Sequence, residues 1–216
     1  ARPYYQGTLA VLLGDLGLVD EIREICDEME HDAATSPPFW RIEDTIDTLR
    51  VRASLMEEGA STALRDALPA AGKVDVGLAH VGVLAPLLDM EISLELGDHD
   101  RVIVRSERFV VAARQASRRL GLAEALLLGG RAHAAADRRD HAQDQLREAH
   151  GDAESLGARR LTWQIEAALA RDLEPGDEAE SFGDRAIAGR EDVRADVPRG
   201  YRETFDTATA GLTNFD

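Results

Sequence analysis

The amino-acid sequence predicts an all-α fold made of stacked antiparallel helical hairpins. Hydrophobic residues make up 44% of the 216 residues but aromatic residues only 5%, a composition that favours helices packed through small side chains over β-sheets. No stretch shows the sustained period-two alternation of a half-buried strand. Apolar or small residues instead repeat the +4, +3 spacing of one helical face, in the sets Ile22/Cys26/Met29, Val102/Ser106/Phe109 and Ala142/Leu146/Ala149.

About five hairpins and a final short helix account for the chain. Turns of similar sequence separate helices at Leu16-Gly17, Leu96-Gly97 and Ala136-Asp137. Ser36 as N-cap and Pro37 at the first helical position begin the second hairpin. The predicted hairpins cover residues 3–31, 39–71, 77–120, 122–157 and 158–197, and the last helix covers residues 198–212.

Other boundaries rest on glycine and proline. The pairs Leu120-Gly121 and Leu156-Gly157 lie 36 residues apart, and each is interpreted as the C-terminal end of an amphipathic helix. The segments 71–75 and 174–177 contain further breaks, and Pro198 begins the last helix.

The stretch from Leu120 to Gly157 resembles one tetratricopeptide-repeat hairpin. Glycine and alanine leave room where the two helices of such a hairpin cross, and leucines fill the space on either side. Histidine replaces the usual tyrosine of the repeat and glutamate its usual proline. In chain order the pattern falls on Leu126, Gly129, Gly130, His133, Ala142, Leu146 and Glu154.

This resemblance implies a tetratricopeptide-like α-solenoid that forms a single domain over residues 1–216, because stacked hairpins need neighbours to bury their faces. Residues 80–210 are also similar to the C-terminal repeat region of large bacterial and archaeal signalling or transcriptional regulators with an AAA-type or related NTPase module upstream. That similarity rests on Gly157–Trp163, a Pro-Gly-Asp turn, Val197-Pro198 and Arg202-x-x-Phe205. It implies a sensor or scaffold arm, and the start at Ala1 rather than Met leads us to expect a fragment of a longer protein.

The charge of the chain disfavours one class of partner. A formal net charge of −16 would repel the phosphate backbone, so we expect no nucleic-acid binding. Arginine supplies 24 of the 25 basic residues, and Lys73 is the only lysine. The acidic surface is interpreted as solvating, with a salt-adapted, halophilic source as the alternative.

Location and chemistry are predicted by absences in the sequence. Without a signal peptide or an apolar run of membrane-spanning length, we expect a cytoplasmic protein that does not contact a membrane. Cys26 is the only cysteine and is expected in the core. The sequence contains no Walker-type loop, His-Glu-x-x-His helix or Gly-x-Ser-x-Gly elbow. Glu28-x-x-His31 forms only half of a di-iron motif, so we expect no enzyme, metal or cofactor.

The candidate partner-binding residues line the concave groove that the resemblance implies. Trp163 falls one 36-residue period after Leu127 and would be an apolar anchor, with core packing as the alternative. The arginines would pair with carboxylates of a partner or with the acidic surface of this protein. The full set is Glu124, Leu127, Arg131, Arg160, Trp163 and Arg171.

We therefore predict a protein–protein interaction or scaffold module that binds a peptide or a helix. One alternative is a small-ligand sensor, which predicts a defined pocket between helices. A helical enzyme with a dispersed site is a less favoured alternative. The sequence leaves open the partner, the pathway and whether the protein forms a homo-oligomer.

Overall fold

The computed structural model describes residues 6, 9–10, 13–14, 16–35, 42–68, 79–115, 117, 119–173 and 175–212. Within these ranges every regular element is a helix, so the all-α prediction is confirmed. Short 3-10 turns flank the last helix, at Arg199–Tyr201 and Ala210–Leu212. The helices are α1 (Val19–Thr35), α2 (Ile42–Glu58), α3 (Thr62–Asp66), α4 (Ala79–Glu95), α5 (His99–Gln115), α6 (Arg119–Ala135), α7 (Arg139–Leu156), α8 (Arg159–Asp172), α9 (Asp177–Asp196) and α10 (Arg202–Thr209).

The chain forms two compact units, Ala1–Leu96 and Gly97–Asp216. The division falls between the two helices of the third predicted hairpin, and the single domain over residues 1–216 stays a prediction. The predicted cap at Ser36 and Pro37 and the break at 71–75 lie outside the described residues.

The first unit is built around α1 and α2, which pack against each other, while α2 also contacts α4. Its core contains Ile22, Cys26 and Met29, all 0% exposed, so the interior position predicted for Cys26 is confirmed. Burial raises the pKa of the Cys26 thiol to about 11, which keeps it protonated and unreactive at neutral pH.

The second unit is a run of helices in which each of α5 to α9 packs against the next, and α6 also contacts α8. Ion pairs join alternate helices: Arg138 lies 3.3 Å from Asp100 at the start of α5, and Arg147 on α7 lies 3.3 Å from Glu178 on α9. The predicted inward faces are buried, since Val102, Ser106 and Phe109 on α5 and Ala142, Leu146 and Ala149 on α7 are at most 1% exposed.

The helices of this unit begin at a fixed interval. Helices α5, α6, α7 and α8 start at residues 99, 119, 139 and 159, and the turns before them have left-handed residues at Gly97, Ser117, Asp137 and Gly157. A pair of helices therefore spans 40 residues, against 34 in a tetratricopeptide repeat.

This interval corrects the sequence interpretation of Leu120-Gly121. Both residues lie in the first turn of α6, whereas Leu156 ends α7 and Gly157 is its C-cap with φ 64°. The preceding helix α5 ends at Gln115, five residues before the predicted end. The 36-residue spacing is therefore the distance in sequence from the start of α6 to the end of α7, and it is not the period of the repeat.

Glycine allows α6 and α7 to approach closely. A Cβ atom on Gly130 would lie 2.8 Å from Cγ of Leu146, and 3.3 Å from the carbonyl oxygen of Ala142. Leu146 is 0% exposed, so it cannot move towards solvent without other core side chains moving as well. The sequence prediction that Gly130 and Ala142 mark the helix crossing is confirmed.

We expect Gly130→Ala to destabilise the protein by about 1–2 kcal/mol, because the clash with Leu146 outweighs the better helix propensity of alanine. Gly151→Ala is the matched control, since Gly151 lies in α7 and a Cβ atom added there would have no neighbouring atom within 4 Å. The Gly151→Ala variant should be more stable than the native protein by about 0.5–1 kcal/mol, because alanine has the better helix propensity. Chemical denaturation measures both, and changes of the same sign would contradict the close approach.

Candidate functional site

The six predicted groove residues divide into two groups. Leu127 is 8% exposed and Trp163 is 0% exposed, whereas Glu124, Arg131 and Arg160 are partly exposed and Arg171 is exposed. Glu124 and Arg160 already have polar partners within the chain. Arg131 and Arg171 are the remaining accessible members of the predicted surface, and neither forms an ion pair with another described residue.

Trp163 belongs to the core and not to a groove surface, as the alternative interpretation held. A Cβ atom on Gly189 of α9 would lie 2.9 Å from Cβ of Trp163, so the two helices meet at this side chain. The sequence analysis used a 36-residue period, which aligned Trp163 with Leu127. With the 40-residue interval of the structure, Trp163 is equivalent to Ala123 on α6, which is also 0% exposed.

Arg131 and Arg171 occupy equivalent positions on α6 and α8, 40 residues apart. The helices contact each other, and the two guanidinium groups are close enough to interact. Burial, followed by the charge of Arg131, lowers the pKa of Arg171 below its ordinary value. Each of these two cations disfavours the charged form of the other.

A cleft of about 330 Å³ adjoins this pair. Its lining comes from the turn between α6 and α7 and from the C-terminal end of α8, and consists of Ala134, Asp137, Arg139, Arg171, Asp172, Leu173 and Pro175. Burial raises the pKa of Asp172, although Arg171, Arg131 and Arg139 act in the opposite direction. Within the lining, Arg139 and Arg171 balance Asp137 and Asp172. Additional positive charge comes from Arg131, which does not line the cleft but acts on Asp172.

Local contacts hold the end of α8 in place. The side-chain amide of Gln143 on α7 donates to the carbonyl oxygen of Asp172 at 3.3 Å, which satisfies one of the unpaired carbonyls at a helix C-terminus. Arg171 donates from Nε to the carbonyl oxygen of Ala167 at 3.2 Å. That bond fixes the side-chain stem and leaves the terminal nitrogens of the guanidinium available.

Sequence reasoning missed a buried carboxylate that joins three helices. Glu166 on α8 is 5% exposed, and its Oε1 lies 3.2 Å from Nε2 of His150 on α7 and 2.8 Å from Nε of Arg185 on α9. Burial raises the pKa of Glu166, but the two hydrogen bonds and the nearby charges outweigh it and hold the pKa below its ordinary value.

A second cleft, of about 280 Å³, lies beside Glu166 between the ends of α7, α8 and α9. It is lined by Glu154, Gly157, Arg159, Thr162, Trp163, Glu166, Gly189 and Asp192. Its residues come from three helices that are distant in sequence, and no motif links them. The sequence analysis had named Glu154, Gly157 and Trp163 for other reasons, and it had not placed them together.

His133, which replaces the tyrosine of the repeat, is 3% exposed and stacks on His141 with 5.4 Å between ring centroids. Burial, then His141 and Arg138, lower its pKa. The interior position predicted for His133 is confirmed. Its Nδ1 has no hydrogen-bond partner among the described residues.

No protein-family model, curated protein or solved structure matches this chain. Among the described residues, no group of three His, Cys, Asp or Glu side chains could hold a metal ion. In the same part of the chain, none of the helices combines the length and apolar character needed to cross a membrane.

Proposed function

We propose that this protein is a protein–protein interaction module that binds a peptide or helix with acidic side chains across α6 and α8. Its docking surface consists of Arg131, Arg171 and the adjoining 330 Å³ cleft. The observation that carries the proposal is the pair of guanidinium groups at equivalent positions of neighbouring helices, near enough for one to lower the pKa of the other.

The arrangement of the helices supports a repeat-array mechanism. With a helix start every 20 residues from α5 to α8 and contact between α6 and α8, alternate helices line up and present equivalent side chains in rows. A row of this kind suits an extended or helical partner, which offers its own side chains at regular intervals. We further propose that the array is the repeat arm of a larger signalling or regulatory protein, and that it is not itself an enzyme.

The partner is expected to supply charge and not an apolar anchor. Trp163 and Leu127 are buried, so of the predicted groove residues the guanidiniums of Arg131 and Arg171 are the ones this surface can offer to a partner. Arginine forms planar, two-point hydrogen bonds with carboxylates. Recognition by such contacts is sensitive to salt.

Selection from a displayed peptide library tests the proposal. We expect the native protein to enrich acidic peptides, and Arg131→Gln with Arg171→Gln to weaken the selected peptides about tenfold, the loss of two exposed ion pairs of about 0.7 kcal/mol each. Arg147→Gln is the matched control, because Arg147 is an exposed arginine of the same unit that pairs with Glu178 on α9. Equal affinity of the double variant, or no enrichment by the native protein, would overturn the proposal.

A further inference from the structure

A pair of histidines, called here the histidine stack, joins the end of α6 to the start of α7. His133 lies in the last turn of α6 and is 3% exposed, whereas His141 lies in the first turn of α7 and is exposed. The two rings are stacked, with 5.4 Å between their centroids and 27° between their planes. The stack is therefore a side-chain contact that spans the turn between the two helices.

The buried ring of the stack fits its site only when it is neutral. A protonated imidazole donates from both ring nitrogens, but Nδ1 of His133 is buried and has no hydrogen-bond partner among the described residues. A proton on Nδ1 would therefore be a buried donor without an acceptor, on a ring that carries a charge. A proton on His141, whose ring centroid lies 5.4 Å away, would add repulsion. Acidification thus acts against the stacked arrangement.

The charged groups around His133 come from several elements. Burial lowers its pKa most, His141 of α7 and Arg138 of the turn lower it further, and Glu107 of α5 raises it by less. Helix α8 also packs against α6, and its Arg171 supplies another cation on that side. The pKa of His133 consequently lies below its ordinary value, which agrees with the lack of an acceptor at Nδ1.

The turn that the stack spans also forms part of the docking surface. The carbonyl oxygen of His133 accepts the backbone N–H of Arg138 at 2.9 Å. Asp137 in the same turn has φ 57°, a conformation that aspartate adopts less readily than glycine, so the turn depends on the contacts around it. A displacement of His133 would therefore disturb the residues of this turn that line the 330 Å³ cleft, Ala134, Asp137 and Arg139.

We propose that the histidine stack is a pH-sensitive switch: acidification separates the two rings, loosens the turn between α6 and α7, and weakens the binding of an acidic partner at the docking surface. This regulation rests on the docking function proposed above. Because the pKa of His133 is lowered in the stack, an open turn takes up the proton more readily than the closed one. The closed turn is fully favoured above the ordinary histidine pKa of about 6.5 and is lost progressively as the pH falls below it. Opening needs only the last turn of α6 to fray.

The affinity for the selected acidic peptides, measured at pH 7.5 and at pH 5.5, tests the switch. The peptide carboxylates stay ionised over this range, because their ordinary pKa is about 4. We expect the native protein to bind at least about threefold more weakly at pH 5.5. His133→Phe keeps a buried ring that cannot take up a proton, and should show no such loss. His99→Gln is the matched control, since it removes a histidine of the same unit outside the stack, and it should keep the native loss.

The outcomes separate the switch from the docking function. Equal affinity of the native protein at both pH values, or an equal loss in His133→Phe and His99→Gln, would overturn the switch and leave the docking function intact. No binding at pH 7.5 would overturn the docking function and the switch with it. His141→Phe serves if His133→Phe does not fold, because position 141 is exposed. It keeps a stacked ring without a charge and should lose less affinity at pH 5.5 than the native protein, and an undiminished loss would overturn the switch.

Discussion

Replacing Trp163 by alanine is expected to lower the free energy of unfolding by about 3–5 kcal/mol. The side chain is 0% exposed and packs where α8 meets Gly189 of α9, so its removal leaves a large cavity between two helices. Its role is thus in stability, although the sequence analysis offered it as a binding anchor. Urea denaturation followed by circular dichroism measures the loss.

A comparison with Arg131→Gln separates stability from binding. That substitution changes a partly exposed residue and should alter the free energy of unfolding by no more than about 0.5 kcal/mol, while it weakens acidic peptides. Trp163→Phe keeps most of the buried ring and should cost less than Trp163→Ala. A Trp163→Ala variant within about 1 kcal/mol of the native protein would contradict the burial of this side chain.

The helical faces were predictable because burial follows a local period. Ile22, Cys26 and Met29 are spaced by four and three residues, which is the period of one helical face, and all three are 0% exposed. The close approach at Gly130 was predictable for a similar reason. A glycine inside an otherwise good helix costs stability unless a neighbouring helix requires the space.

The register of the repeat was not predictable from the same signals. Leu-Gly pairs are common at helix ends, yet Leu120-Gly121 lies in the first turn of α6. Local sequence cannot distinguish a glycine that ends a helix from one inside it. The error of four residues is close to one helical turn, so the predicted groove residues of α8 stayed close to one face of the helix. The wrong period nevertheless placed Trp163, which is 0% exposed, among the surface residues.

The Glu166 cluster lay beyond sequence reasoning for a different reason. His150, Glu166 and Arg185 belong to three helices, and only the packing of α7, α8 and α9 brings them within hydrogen-bonding distance. A lone glutamate on an arginine-rich amphipathic helix is usually exposed. No spacing in the sequence indicates that this one is buried.

Glu166→Gln is expected to destabilise the protein by about 2–4 kcal/mol at pH 7. The change leaves Arg185 without its carboxylate and removes the charged acceptor from His150, and the loss of one partner of a buried ion pair is strongly destabilising. The expected loss is below the value for a fully buried pair because the side chain of Arg185 is 48% exposed and screened by water. Glu154→Gln is the control, since that side chain is 61% exposed, and it should cost less than about 1 kcal/mol.

The pH dependence of this loss identifies its cause. The pKa of Glu166 in the folded protein lies below its ordinary value, so the unfolded chain takes up a proton first as the pH falls. The stabilisation by Glu166 is therefore complete above the unfolded pKa of about 4.3 and is lost as the pH falls through the lower folded pKa. The difference between native protein and Glu166→Gln should not shrink from pH 7 to pH 5, and should decline only below about pH 4. A difference that already disappears by pH 5 would mean that Glu166 is not held ionised in the folded protein.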